Sequence, residues 1–239
     1  MPENRDPNAP VPNWSPPPRP DFDVLEGRWA RVERLDPARH AADLFDANRA
    51  SDAIWDYLPY GPFAHPDAYT DWLTSVAPGE DPRFHAIQDI ETGRYAGVAS
   101  YLRIAPEAGS IEVGHINLAP ELQRTRAATE AMFLLMKWAF EAGYRRYEWK
   151  CNAANAGSRR AAGRLGLSYE GIFRQAAVIK GRNRDTAWFA AIDAEWPALE
   201  TAFETWLSPD NFGTDGQQIL RLADLARPVL AAHDPTGTS

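Results

Sequence analysis

Hydrophobic and polar positions recur along this chain with periods that predict an ordered run of strands and helices. Residues 27–35, Gly-Arg-Trp-Ala-Arg-Val-Glu-Arg-Leu, alternate as a strand does. Asp36-Pro37 then supplies an N-cap and a first-turn proline, and Ala41, Leu44, Phe45 and Asn48 share one face of the helix that follows. An aromatic loop from Trp55 to Phe63, punctuated by Pro59, Gly61 and Pro62, leads to a second helix from Pro66, with Tyr69, Trp72, Leu73 and Val76 inward. Residues 84–89 and 95–104 form a hairpin about Glu91-Thr92-Gly93. A strand over 111–118, an apolar helix over 127–142, a strand over 146–151 and a small-residue helix over 156–165 follow, the last broken at Gly166. A second hairpin, 169–179 and 185–192, turns at residues 180–183; helices over 196–206 and 217–226 flank a polar loop at 211–216. With no internal repeat and no Pro/Gly linker in the body, the pattern predicts one α/β domain over residues 21–207 and a C-terminal loop, helix and tail over 208–239.

Composition adds boundaries. Residues 1–20 hold prolines 2, 7, 10, 12, 16, 17, 18 and 20 and few apolar side chains, so they cannot bury enough surface to fold alone. They read as an extended arm that Trp14 can anchor, or as a mobile tail over the first dozen residues. No apolar run approaches the ~20 residues of a membrane helix, and the N-terminus lacks the basic-then-apolar order of a secretory signal, so a cytoplasmic protein is expected. Cys151 is alone, which excludes a disulfide framework and a cysteine metal site. The five histidines are scattered without ligand spacing, so no metal is expected. A net charge of −8 disfavours nucleic acid as a partner and is compatible with a cationic substrate, or with solubility alone.

Chemistry concentrates between Ile111 and Leu167. The turn Gln123-Arg124-Thr125-Arg126-Ala127-Ala128 opens a helix, where the first backbone N–H groups lack intrahelical acceptors and the helix dipole favours an anion. Arg124 and Arg126 add forked donors suited to phosphate. The same residues describe a well-capped, arginine-rich helix start, and spacing alone leaves the two readings open.

The order of elements, with Gln123-x-x-Arg126-x-Ala128 before the helix, resembles the GNAT superfamily of acetyl-CoA-dependent N-acyltransferases, whose cofactor turn is Gln/Arg-x-x-Gly-x-Gly/Ala. Asn155-x-x-Ser158 and Arg164-Leu165-Gly166-Leu167 resemble that family's later asparagine, helix and Leu-Gly-Phe ending. Ala128-Thr129-Glu130-Ala131-Met132, Trp138-Ala139-Phe140-Glu141 and Glu170-Gly171-Ile172-Phe173-Arg174 resemble the RimJ/RimL-type branch, which includes acetyltransferases of ribosomal-protein N-termini. The resemblance covers about residues 27–195. It implies a mixed, mostly antiparallel sheet of about seven strands between helices, splayed between its fourth and fifth strands, which are the Ile111 and Arg146 strands. It also implies that acetyl-CoA lies in the splay, with its pyrophosphate at Gln123, Arg124, Arg126, Ala127, Ala128 and Thr129. Backbone N–H groups near Asn117, Leu118 and Ala119 would meet the pantetheine and the thioester carbonyl, and Asn155 and Ser158 would lie beside the cofactor. Arg126 replaces the first glycine of the turn; arginine does not adopt φ > 0 cheaply, but a guanidinium can pair with phosphate directly, so a retained site of altered geometry is expected.

Acylating an amine requires a base for the ammonium proton and an acid for the departing thiolate. Glu112 matches the family's strand glutamate that acts through water; an exposed strand carboxylate is the plain alternative. His115, three residues on, titrates near neutrality when unperturbed and is the second candidate, or a packed histidine. His85 and Glu170 are weaker substrate-side candidates. The family's usual acid, a tyrosine four residues before the Leu-Gly-Phe glycine, is replaced by Ala162, which leaves Ser158 as the acid or as a helix-start cap. Asn155 orients the cofactor, caps its helix, or does both. The aromatic loop and the hairpin tip at residues 180–185 flank the acceptor side, where Asp52, Asp56 and Asp185 are placed to attract an ammonium. The expected protein is an N-acetyltransferase of a primary amine, with a peptide or protein N-terminus as the expected acceptor and a small amine as the alternative; an acyl-CoA-binding protein without turnover is the rival. Monomer and homodimer both stay open.

Overall fold

A computed structural model describes Asp6 and residues 8–236; the start of the proline-rich arm, residues 1–5 and 7, and residues 237–239 lie outside them. Eight strands form one sheet: β1 (Val24–Glu26), β2 (Ala30–Arg34), β3 (Arg83–Asp89), β4 (Arg94–Ala105), β5 (Ser110–Leu118), β6 (Arg146–Asn152), β7 (Ser168–Ile179) and β8 (Arg182–Ile192). Their order across the sheet is β1-β2-β3-β4-β5-β6-β8-β7. All neighbours are antiparallel except β5 and β6, which run parallel. Short connections carry the antiparallel pairs, whereas the parallel pair needs the crossover helix α3 (Arg126–Glu141).

The count is one strand more than the seven expected. Val24–Glu26 pairs with β2 but is too short to show alternation, and it shifts the parallel pair to fifth and sixth place. The sheet's two faces follow the two-residue alternation. On one face Phe84, Ala86 and Val98 meet Leu44 of α1 (Pro37–Asn48) and Tyr69 and Leu73 of α2 (Pro66–Val76). On the other, Ile87, Ile111, Val113, Tyr147 and Phe189 meet α3 and α5 (Trp196–Leu207), with α4 (Ala156–Arg164) on the same side. Asp36 caps α1 as its sequence predicts, accepting from the Ala38 N–H at 3.0 Å.

The last helix is shorter than expected: α6 spans Leu222–Ala226, not 217–226. Asn211 takes the intervening backbone for itself, accepting from the Leu220 N–H at 2.7 Å and donating to the Leu220 carbonyl at 3.1 Å, while Phe212 bridges Gln218. Beyond α6, Asp234 pairs with Arg159 of α4 through two short bonds of 2.7 and 2.5 Å, both side chains buried. The described part of the arm is fastened too. Trp14 lies over Gly109, where a Cβ would stand 2.4 Å from the indole, and the Tyr144 hydroxyl donates to the Pro18 carbonyl at 3.0 Å.

Candidate active site

β5 and β6 pair only from Ser110↔Arg146 to Val113↔Trp149. Past that point both strands continue without pairing to each other, because β5 carries a bulge: its register against β4 steps from Ser100↔Gly114 to Val98↔Asn117, with His115 at φ +51°. A bulge bends and twists its strand, and here it carries the end of β5 away from β6. The cleft belongs to a groove of about 1680 Å³, larger than the ~300–1,000 Å³ of one drug-sized ligand. It has room for two reactants.

The α3 side of the groove is built for an anion. Gln123 Nε2 donates to the Leu118 carbonyl at 2.9 Å, fastening the turn to the end of β5. Thr125 caps α3 by accepting from the Ala128 N–H at 3.0 Å, which removes that N–H from the anion donors; the Ala119 N–H is likewise taken by the Ala96 carbonyl. Arg126 and Ala127, the first residues of the helix, keep N–H groups without intrahelical acceptors. The concern over the missing glycine is resolved by the backbone: Arg126 is helical, and the positive φ of the turn, +64°, falls on Arg124.

The Arg126 guanidinium lies 4.0 Å from the Trp29 ring and 4.8 Å from that of Phe212. Trp29 is itself held from α3, since the N–H groups of Arg28, Trp29 and Ala30 donate to the buried Glu130 carboxylate at 3.0, 2.5 and 2.7 Å. Gly27 makes this possible, as a Cβ there would stand 2.3 Å from the Glu130 carboxyl carbon. Arg164, unremarked in the sequence apart from its place in the Leu-Gly ending, donates to Thr129 Oγ1 at 3.2 Å and lies 5.0 Å from the Trp206 ring; burial pulls its pKa down. Arg124, Arg126, Arg160 and Arg164 all line the groove, and none has a carboxylate partner among the described residues. Ala127, Ala128 and Thr129 line it as well. Asn155 caps α4, its Oδ1 accepting from the Ser158 N–H at 3.0 Å. Leu118 reaches the groove, but Asn117, expected beside the cofactor, is not among the lining residues; its side chain is buried, its amide without a partner among the described residues. A set of forked cations beside a helix start whose first two N–H groups are free is the donor chemistry that a pyrophosphate requires, so these residues fit the cofactor the sequence implies.

The opposite face carries a charge ladder. Both carboxylate oxygens of the buried Glu112 bond Arg103 at 2.8 Å, and Lys150 approaches the same group at 2.8 Å. Lys150 also pairs with Glu148 at 2.6 Å and lies 3.8 Å from the Trp188 ring. Arg146 joins Glu148 and Glu170. Glu170 is thus an ion-pair partner outside the groove, and His85 is buried against Phe22, also outside it. His115 lines the groove, shares a 3.2 Å hydrogen bond with the Tyr60 hydroxyl and packs 5.1 Å from Phe84. Burial, with the positive charges of Arg103 and Arg184, lowers its pKa to about 4, so the ring is neutral at pH 7. Ser158 Oγ accepts from Trp149 Nε1 at 2.9 Å. Burial raises the Cys151 thiol, and the Ser158 hydroxyl, bonded to it, opposes that rise. Ala162 is fully buried.

The acceptor-side loops close on each other. Lys180 at the β7–β8 tip donates to the Trp55 and Gly61 carbonyls at 3.0 and 2.9 Å, and the Tyr57 hydroxyl donates to the Ala154 carbonyl at 3.2 Å. The three aspartates expected to attract an ammonium do not line the groove. Asp52 and Asp56 are exposed, and Asp185 accepts from the Gln175 N–H and Asn183 Nδ2 at 2.7 and 3.0 Å. Among the described residues no cluster of three His, Cys, Asp or Glu could hold a metal, and no helix is long and apolar enough to cross a membrane.

A mixed sheet opened by one diverging parallel pair, with a cationic helix start on one face and a walled polar chamber on the other, defines a two-substrate transferase. The acetyltransferase (GNAT) domain model matches residues 31–168, more than half of the chain, and the protein belongs to that family of acyltransferases, which use acetyl-CoA. A solved GCN5-related N-acetyltransferase from Brucella melitensis is 44% identical, covers 91% of this chain and 100% of its own, and superposes with a TM-score of 0.89. A GNAT-family protein from Chromobacterium violaceum is 39% identical over 83% of this chain and 100% of its own, TM-score 0.76. The microcin C7 self-immunity acetyltransferase MccE, solved with acetyl-CoA and AMP, shares the fold at 17% identity over 70% of this chain and 93% of its own, TM-score 0.62. No curated protein matches the sequence.

Proposed function

We propose that this chain acetylates a primary amine that enters the walled chamber end-on and attacks the thioester directly, a small amine being the acceptor that fits best. The observation that carries the reading is the double clasp of Lys180 and Tyr57, which ties the aromatic loop to the hairpin tip and to the β6–α4 turn. A lysine on a folded protein surface does not reach past such a rim. The free N-terminus of a flexible peptide does, and the RimJ/RimL-like text of α3 and β7 favours it as the second reading.

Acetyl-CoA supplies the activated acetyl group when bound. Toward it, the N–H groups of Arg126 and Ala127 and the side chains of Arg124, Arg126 and Arg164 hold the phosphates, Gln123 fixes the turn, and Thr129 places Arg164. Leu118 would line the pantetheine channel, with Asn155 holding α4 in register. Ser158 would be the proton donor to the departing sulfur: the Trp149 indole occupies one lone pair of its oxygen, and the hydroxyl proton would turn from Cys151 to the leaving thiolate. Glu112, fixed by Arg103 and Lys150, orients the water that removes the ammonium proton. His115, neutral and tied to Tyr60, is a poor store for that proton and serves to shape the chamber. Dependence on acetyl-CoA agrees with the cytoplasmic location expected from the sequence.

Thiol detection of coenzyme A release, with acetyl-CoA and a panel of small amines and N-terminal peptides, tests the proposal. Release that requires a small amine is expected; release with peptides alone selects the second reading. Tight acetyl-CoA binding without release by any amine would instead make the chain a binding protein.

A further inference from the structure

Among the described residues, the acceptor-face cations that line the groove are matched, with a single exception. Arg103 and Lys150 share Glu112, Arg146 bridges Glu148 and Glu170, and Lys180 is spent on two carbonyls. Arg184 of β8 lines the groove, yet among the described residues its guanidinium has no carboxylate or carbonyl partner, and its Nε is shut off from solvent with no acceptor. Its neighbour Asp185, the natural counter-ion, is turned to the hairpin backbone and Asn183.

The sheet register says which reactant Arg184 faces. Lys150 lies opposite Trp188 and Asn152 opposite Thr186, so two-residue alternation puts Arg184 on the face of Thr186, Trp188 and Lys150. That is the face of Glu112, away from α3 and α4 and the phosphate-binding arginines. The field of Arg184 also reaches His115 in the chamber. A buried N–H without an acceptor is unfavourable, and a guanidinium is a planar fork matched to a carboxylate or a phosphate. The carboxylate on this face of the groove, Glu112, already serves two cations and is not open to a polyamine.

We infer that Arg184 is the acceptor's anion site, so that the amine acetylated here also bears a carboxylate or phosphate group, as an amino acid or a phosphorylated amine does. The inference rests on the acetyl-transfer reading for its chemistry but on Arg184 alone for its specificity. It sets the substrate class, because the anion end is gripped at β8 while the amine end is presented to the split between β5 and β6.

The test compares coenzyme A release for two pairs of amines, L-phenylalanine with L-phenylalaninamide and O-phosphoethanolamine with ethanolamine, in wild type, Arg184→Met and Arg184→Lys. In one pair the anionic member is expected to show a kcat/KM about tenfold or more above its neutral partner, carried by KM. The pair that responds tells carboxylate from phosphate. Arg184→Met brings that ratio near one, and Arg184→Lys keeps part of it. Equal kcat/KM within both pairs, or a ratio that survives Arg184→Met, overturns the inference. If neither pair is turned over, calorimetric titration of L-phenylalanine and O-phosphoethanolamine into the coenzyme A-saturated protein decides it: binding lost in Arg184→Met supports the site, and no binding in wild type refutes it. Failure of the transfer reading is separate and shows as no release with any amine of the wider panel.

Discussion

Arg164→Met separates binding from folding more cleanly than any other change on the cofactor side. In the ligand-free protein the guanidinium makes one hydrogen bond to Thr129 Oγ1 and lies over Trp206, worth about 1 kcal/mol and about 0.5–1 kcal/mol. Against this stands a half-buried charge with no counter-ion, whose desolvation costs about 1–3 kcal/mol. The two nearly cancel, so the ligand-free Tm of the variant should stay within a few degrees of wild type. Cofactor binding behaves differently, because a charge-assisted bond to phosphate contributes about 1.5–3 kcal/mol, or roughly 10- to 100-fold in Kd. With coenzyme A at 100 times the wild-type Kd, the ligand stabilises wild type by about 2.7 kcal/mol; a variant bound 30-fold more weakly gains only about 0.9 kcal/mol. For a chain of this size that is a Tm rise of roughly 5–11 °C against roughly 2–4 °C. Scanning calorimetry with and without coenzyme A reads both numbers, and titration calorimetry gives Kd directly. An unchanged Kd refutes the phosphate role, and a large drop in ligand-free Tm would mean that Arg164 is a packing residue.

Three further perturbations probe other parts of the molecule. Ser158→Ala should lower kcat about tenfold or more and cost only about 1 kcal/mol of stability, through the orphaned Trp149 indole N–H; unchanged kcat would leave Ser158 as that indole's acceptor and nothing else. His115 has a folded pKa of about 4 against an ordinary 6.5, so the unfolded chain binds the proton first. Its contribution is complete above pH 6.5, falls as pH drops toward 4, and amounts to roughly 2.5 kcal/mol lost by pH 4.5. Denaturant unfolding at pH 7.5 and 4.5 should therefore show a smaller acid loss in His115→Gln, and identical losses would rule the argument out. Asp234→Ala leaves Arg159 buried without its partner, a change that costs about 3–5 kcal/mol and should release the segment beyond α6 to limited proteolysis; wild-type protection would show that the pair does not hold it.

What the sequence made legible and what it hid divide along physical lines. Periodicity and caps act over a few residues, so α1, α3, α4 and both hairpins could be placed from Asp36-Pro37, the apolar run after Arg126 and the Gly-containing turns. Val24–Glu26 was too short to carry a period, and residues 217–221 look helical until Asn211 claims Leu220 across nine positions. The anion turn was legible because its donors are local backbone. Its surroundings were not, since the Trp29–Arg126–Phe212 stack joins three distant stretches and depends on Glu130 holding residues 28–30. Equally hidden was which charges are spent: Glu112 and Arg184 look alike as isolated strand charges, but one has two partners and the other none. Asp185 misled in the same way, a carboxylate near the hairpin tip whose Oδ1 accepts from its own hairpin and which does not line the groove.

That last distinction bears on how an acidic chain binds anions. Net charge is −8, yet many carboxylates neutralise cations away from the groove: Glu33 takes Arg31 and Arg39, and Asp46 takes Arg49 and Arg94. The arginines left without carboxylates at Arg124, Arg126, Arg160 and Arg164 face one side of the split and Arg184 the other. A low-dielectric cleft focuses the field of such unpaired charges, while the distant surface carboxylates are screened beyond roughly 10 Å at ordinary salt. A small anion that enters the groove therefore meets the local field of these arginines rather than the net charge of the whole chain. In the proposed reading the same partition lets one side take the phosphates of the acetyl donor and the other a single acidic group of the acceptor, so that the two reactants would be aligned from their charged ends inward toward Ser158 and Glu112.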